Sequence, residues 1–219
     1  MGTTLPKISP LKLWFFTKYT RYLLSRRFHK VLVNNTYKPK AGATTLFFGN
    51  HCYWWDALIP LVLNDVFFKQ DLRAIMERKQ TEDWPFFLQI GAVPVKFGSV
   101  QDGRNLIKQC HEVLSMSNSS LWVFPEGKFY SIKDSPGPYQ PLIGSLALAF
   151  PNTELACVSQ YIDYQLSDKP TLYIDIKEVQ IPEGTTRKEL MLSLRKTNRD
   201  KLTEIIANNE LTAKFINLY

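Results

Sequence analysis

The chain has 219 residues, 45% of them hydrophobic and 13% aromatic, which suits a single globular domain with a substantial core. Its formal net charge of +7 sits at one end, because residues 1–40 hold nine Lys or Arg and no Asp or Glu, against 18 basic and 20 acidic side chains in the remainder. Beyond the N-terminal segment the slightly acidic balance lends no support to nucleic-acid binding. The three cysteines, Cys52, Cys110 and Cys157, are odd in number and form no CxxC pair, so a reduced, cytoplasmic setting is expected rather than a disulfide framework.

Taken in chain order, the first element is a helix predicted over Pro10–Val33, a run with no glycine and no internal proline. It mixes Leu13, Trp14, Phe16, Tyr19, Leu23, Leu24 and Phe28 with lysines and arginines. A basic amphipathic helix of this kind fits either an anionic bilayer surface or the protein's own core. Residues 1–40 therefore read as a basic membrane-surface arm, docking through residues 10–33, and residues 41–219 as the main domain. No uninterrupted apolar stretch reaches the roughly 18 residues of a spanning helix, and no cleavage-like motif marks a signal peptide.

Past the arm, strand and helix patterns alternate. "TTLFFGN" reads as a buried strand and "WDALIPLVLN" as a helix limited by Pro60. "LRAIM" is a strand, "WPFFLQIG" a short helix ending at Gly91, and "AVPV" a strand. Leu106, Ile107, Cys110, Val113 and Leu114 fall at helical spacing within Gln101–Met116. "LWVFPEG" is a strand entering a turn, and "SIKDSPGPYQP" is a candidate mobile loop. "IGSLALAF" is helical, and "ELACVSQYI" and "TLYIDIKEV" are strands. A last helix spans Thr185–Asn208, with Thr186 and Glu189 placed for a capping box. Such alternation predicts an α/β domain with a mostly parallel central sheet flanked by helices. Ligands of such sheets bind at the carboxyl ends of the strands.

Two motifs stand at such ends. In "GNHCYWWDAL", His51 and Asp56 follow the buried strand and straddle the start of a helix. Residues five apart on a regular helix point about 140° away from each other. If the two side chains meet, His51 lies in the loop and Asp56 in or before the first turn. Asp56 then accepts one imidazole N–H, and the other ring nitrogen is free to take a proton from a hydroxyl. The structural alternative makes Asp56 a helix N-terminal residue and His51 a satisfied loop residue. Adjacent Cys52 lacks any thiolate-stabilising pattern. The second motif, "LWVFPEGKF", places Glu126, Gly127 and Lys128 in a turn after another buried strand. It is suited either to a polar head group or to a local surface ion pair.

Taken together, "NHCYWWD", "GAVPVKFG" beginning 41 residues after Asn50, and "FPEGKF" beginning 33 residues after Gly91 resemble the blocks of the lysophospholipid acyltransferase family, the 1-acylglycerol-3-phosphate acyltransferases among them. The likeness covers about residues 44–165. It implies His51 and Asp56 as the catalytic pair of the family's His-x4-Asp motif, and Asn50, Lys96, Glu126, Gly127 and Lys128 as substrate-binding residues. It further implies transfer of a fatty acyl group from acyl-CoA or acyl carrier protein to a lipid hydroxyl. No cofactor or metal is implied, and a peripheral position on the inner, cytoplasmic face of a membrane is expected. A family arginine is replaced twice, by Phe97 after Lys96 and by Phe129 after Lys128. A lysine neutralises a phosphate but lacks the guanidinium fork, so the acceptor is left open among lysolipids and other lipid-like alcohols. The competing reading is a non-catalytic lipid-binding or scaffold protein that retains the fold.

Overall fold

The computed structural model describes residues 5–96, 98–164, 167–207 and 215–218. Helix α1 (Pro10–Arg27) and strands β1 (Lys30–Asn35) and β2 (Thr45–Gly49) come first. A 3-10 turn (Trp54–Ala57), α2 (Ile59–Leu63), a π turn (Asn64–Phe68), β3 (Asp71–Glu77) and α3 (Arg78–Asp83) follow. A second 3-10 turn (Pro85–Ile90) leads to β4 (Ala92–Val95), α4 (Val100–Leu114), β5 (Ser119–Val123) and α5 (Pro141–Ala149). The chain continues through β6 (Glu154–Asp163), β7 (Thr171–Val179), α6 (Arg187–Ala207) and β8 (Ile216–Asn217).

All eight strands form one sheet in the order β4-β3-β5-β2-β6-β7-β1-β8. It is parallel except where β6 meets β7 and β1 meets β8. The predicted α/β class, mostly parallel sheet, flanking helices and N-terminal helix are all present. Strand β2 sits in the middle, with β5 on one side and β6 on the other. Every residue of both β2 and β5 is buried, as expected of strands covered on both faces. Alternate residues of β2 enter different cores. Phe47 packs with Trp122, Ile174 and Leu24 of α1, whereas Leu46 and Phe48 pack with Leu106 of α4, Ile143 of α5 and Leu194 of α6. Phe47 and Trp122 stack with centroids 4.3 Å apart.

One expectation is corrected at the N-terminus. The helix predicted through Val33 ends at Arg27, and Lys30–Asn35 forms β1, paired in parallel with β7. Val31 and Val33 are β-branched and wholly buried, so they suit a pleated core strand better than a surface helix. The last part of the expected arm is thus built into the sheet. Helix α1 itself is anchored. The Ser9 N–H donates to the Gln89 carbonyl at 2.8 Å, Phe16 stacks on Phe86 at 4.3 Å, and Arg21 pairs with Asp65 at 3.6 Å.

Gly91 ends its 3-10 turn as predicted, with φ +109. A Cβ there would lie 2.2 Å from the Leu72 carbonyl oxygen, so only glycine allows the return into β4 beside β3. At the start of α6, the Thr186 N–H donates to the Glu189 carboxylate at 2.9 Å and the Glu189 N–H to the Thr186 hydroxyl at 3.3 Å. That is the predicted capping box. Asn208, the last residue of the predicted helix, lies outside the described residues.

Candidate active site

Register places the site. Ala92, Ala74, Trp122, Phe47 and Ala156 form one row across β4, β3, β5, β2 and β6. His51 and Glu126 each follow that row by four residues, on adjacent strands. Both motifs therefore emerge side by side at the carboxyl edge, where parallel α/β sheets bind ligands.

His51 lies in the loop after β2, and Asp56 in the 3-10 turn that follows, as their spacing required. The Asp56 Oδ2 accepts from His51 Nδ1 at 3.0 Å, from the Cys52 N–H at 2.8 Å and from the Tyr53 N–H at 2.9 Å. An ionised carboxylate only accepts, so Nδ1 carries the proton and Nε2 is left as the basic nitrogen. Asp56 is 1% exposed and His51 18% exposed at the side chain, so the carboxylate is hidden while the ring is partly open to solvent. Burial pushes the Asp56 carboxyl above its ordinary value, and the bonds from His51, Tyr53 and Cys52 pull it back down. Burial likewise raises the Cys52 thiol, which keeps it protonated and a poor nucleophile.

The imidazole is held between two aromatic rings. Phe124 stacks at 4.4 Å and Phe129 at 4.0 Å from its centroid. Neither ring was expected as a site residue. Phe124 carried no signal beyond its place in the motif, and Phe129 stood out only as a missing arginine. Phe97, the other such position, lies outside the described residues.

Glu126 meets His51, but through the backbone. Its Oε1 accepts the His51 N–H at 3.0 Å and the Ser135 hydroxyl at 3.3 Å, and its Oε2 accepts the Gly137 N–H at 3.0 Å. The side chain is 1% exposed. Burial pushes its pKa above the ordinary carboxylate value, opposed by these same bonds. Gly127 turns the chain with φ +69, its N–H donating to the Phe124 carbonyl at 3.0 Å. Lys128 points outward, with Nζ 5.0 Å from the Tyr130 ring centroid. Asn50, fully buried, donates to the Gln160 carbonyl at 2.9 Å and accepts the Gln160 N–H at 2.8 Å, bridging β2 to β6. Lys96 lies apart, at the end of edge strand β4 in a pocket against α4. The structure therefore joins His51, Asp56, Glu126 and Gly127 in one site, backs it with Asn50, and separates Lys96 from it.

The loop read as mobile is pinned instead. Ser135, Pro136 and Gly137 are buried, and the Pro136 carbonyl accepts from Arg195 Nε at 3.0 Å and Arg199 Nη2 at 3.1 Å. These two arginines of α6, one turn apart, fix the loop that fixes Glu126. Local sequence gave no sign of this long-range role. No group of His, Cys, Asp and Glu suited to a metal ion is found among the described residues.

Fold and site together define a mostly parallel α/β domain with an oriented imidazole–carboxylate pair at the carboxyl edge of its central strands. No family model and no curated protein sequence matches the chain. Among solved structures it is similar to the crystal structure of the 1-acyl-sn-glycerophosphate (LPA) acyltransferase PlsC from Thermotoga maritima. The TM-score is 0.68 at 16% identity, over 90% of this chain and 80% of that one. The chain has the fold of that acyltransferase.

Proposed function

We propose that this protein is an acyltransferase that moves a fatty acyl group from a thioester, acyl-CoA or acyl carrier protein, to a hydroxyl of a lysolipid or other lipid-like alcohol. The observation that carries the reading is the 3.0 Å bond from His51 Nδ1 to Asp56, set at the carboxyl edge of an acyltransferase fold. His51 Nε2 takes the acceptor's hydroxyl proton as the oxygen attacks the thioester carbonyl. The new C–O bond forms a tetrahedral intermediate. The C–S bond then breaks, and the imidazolium returns its proton to the departing thiolate. Buried Asp56 holds the tautomer and stabilises the imidazolium. A small apolar pocket of about 20 Å³, room for about one water molecule, is lined by Ala57, Leu61, Leu72 and Phe87. An acyl chain entering there must part these side chains. Phe129 against the imidazole favours an acceptor with little charge near its hydroxyl, because a ring offers a phosphate no hydrogen bond.

The test is release of free thiol from long-chain acyl-CoA and acyl carrier protein across a panel of lysolipids and lipid alcohols. Acceptor-dependent release by the intact chain is expected. Failure of every acceptor to raise release above the rate of the His51→Ala protein would sink the enzymatic reading and leave the scaffold alternative.

Membrane contact forms part of the same proposal. Helix α1 buries Thr17, Thr20 and Leu24 and turns Leu11, Trp14, Phe15, Tyr19 and Tyr22 to solvent, beside exposed Lys18 and Arg26. Aromatic and basic side chains on one outward face suit the headgroup region of an anionic bilayer on the cytoplasmic side. No helix among the described residues is long and apolar enough to cross a membrane. The intact protein is expected to sediment with anionic vesicles and to be released by moderate salt. Replacing Trp14 and Phe15 with serine should weaken sedimentation about tenfold or more, at about 25 cal/mol per Å² of apolar surface lost. No sedimentation of the unaltered protein would refute peripheral binding.

A further inference from the structure

The carboxyl edge holds a second feature, away from the imidazole. Between the open edge of β4 and helix α4 lies a pocket of about 180 Å³. Arg78, at the start of α3, Lys96, after β4, and Lys108, on α4, supply three cations to its wall, and Asn105 and Gln109 supply amides. None of the three cations forms an ion pair with a carboxylate among the described residues. The one acidic lining residue, Asp102, accepts from the Ser99 hydroxyl at 2.7 Å. Three cations against one carboxylate leave the cavity positive. It therefore attracts an anion, and the guanidinium of Arg78 adds the fork that suits phosphate oxygens.

Distance gives the anion its identity. Arg78 and Lys96 each stand four residues beyond the row that runs through Ala74 and Ala92, as His51 stands beyond Phe47. The strand ends that carry the pocket and the imidazole are thus in register along the strand direction. They are separated by the three strand-to-strand steps from β2 through β5 and β3 to β4. At about 4.8 Å per step the separation is about 14 Å. An extended pantetheine arm, sulfur to phosphorus, measures about 16 Å from standard bond lengths. A thioester sulfur at His51 would therefore deliver its own phosphate to these three cations.

We infer that the Arg78, Lys96 and Lys108 pocket binds the phosphoryl end of the acyl donor's phosphopantetheine arm. The choice of ligand rests on the acyl-transfer reading, whereas anion binding follows from the charges alone. Both thioester donors carry this phosphate. Coenzyme A adds a nucleotide with a further phosphate, for which the pocket's open side leaves room.

The experiment is equilibrium binding to the intact protein at low salt, using CoA, dephospho-CoA, 4′-phosphopantetheine, pantetheine and glycerol 3-phosphate. CoA and phosphopantetheine are expected to bind at least about tenfold more tightly than pantetheine, since each charge-assisted contact is worth roughly a factor of ten. Arg78→Gln with Lys108→Gln should weaken CoA by about tenfold to a hundredfold and leave pantetheine unchanged. Both positions are exposed, so an unaltered melting curve accompanies the loss. A tighter hold on CoA than on dephospho-CoA marks the nucleotide donor. Equal binding of CoA, dephospho-CoA and phosphopantetheine marks the phosphate common to both donors. Equal affinity of CoA for the double variant, or of pantetheine and CoA for the unaltered protein, overturns the inference. So does charge-dependent binding of glycerol 3-phosphate alone, which would give the pocket to the acceptor. If CoA binds through the two side chains but no acceptor supports thiol release, the pocket stands and the transfer reading fails.

Discussion

Alanine at His51 is expected to reduce acceptor-dependent thiol release by about 10²–10⁴-fold, the usual worth of a positioned general base, with little change in stability. The side chain is partly exposed and stacks on rings that can close over the gap, so folding does not depend on it. Asp56→Asn should cost a comparable factor for a different reason. An asparagine oxygen in the place of Oδ2 can still accept from His51 Nδ1 and from the Cys52 and Tyr53 N–H groups, so the tautomer survives. The negative charge is gone, and proton transfer to Nε2 then builds an imidazolium with no buried counter-charge beside it. The amide N–H groups fall at the position of Oδ1, which is buried and has no hydrogen-bond partner among the described residues. Stranding them there lowers stability by about 1–3 kcal/mol. The pair acts as a unit, so the double variant should be no slower than His51→Ala alone. Thiol-release rates on the four proteins, with thermal melts beside them, check this. Turnover of His51→Ala within a few-fold of the unaltered chain would remove the imidazole from the chemistry.

How far these features were legible depended on how far apart their partners lie in the chain. The His51–Asp56 bond spans five residues, and its geometry follows from helical angles alone. Buried strands such as "TLFFG" and "SSLWV" announce themselves by composition, and Gly91 by its place after a helical run. Strand β1 was hidden because nothing in "RRFHKVLVNN" punctuates the helix before it. Its exit is set instead by Phe28, 3% exposed against Trp55, and by the His29 N–H bonded to the Pro170 carbonyl at 2.8 Å. Those partners lie far along the chain. Asn50 looked like a ligand residue, and its partner is Gln160, 110 residues on. Glu126 looked like a head-group ligand, or else one half of a surface ion pair with Lys128. Its bonds go to residues 9, 11 and 75 positions away, and no local pattern carries that information.

Glu126 is also where two roles lead to opposite measurements. As an acceptor-binding residue it would set the acceptor's KM, and its loss would leave the fold intact. The geometry instead gives it the role of a buried tie between the His51 loop and the Ser135–Gly137 loop, with both oxygens committed. Glu126→Ala strands the His51 N–H, the Gly137 N–H and the Ser135 hydroxyl. Each buried, unpaired donor costs about 1–3 kcal/mol, so a loss of about 3 kcal/mol or more is expected. For a chain of this size that lowers Tm by about 6–12 °C. Glu126→Gln keeps the volume and one acceptor oxygen, but sets its amide N–H groups against one backbone donor. It should recover only part of the stability. In Glu126→Ala the His51 backbone loses its anchor, and a displacement of the base by about 1 Å costs about a hundredfold in rate; Glu126→Gln, whose oxygen can still accept the His51 N–H, should lose less. The expected signature is a joint fall in kcat and Tm, with acceptor KM nearly constant. A raised acceptor KM at unchanged Tm and kcat would return Glu126 to the substrate and take the tie away from it.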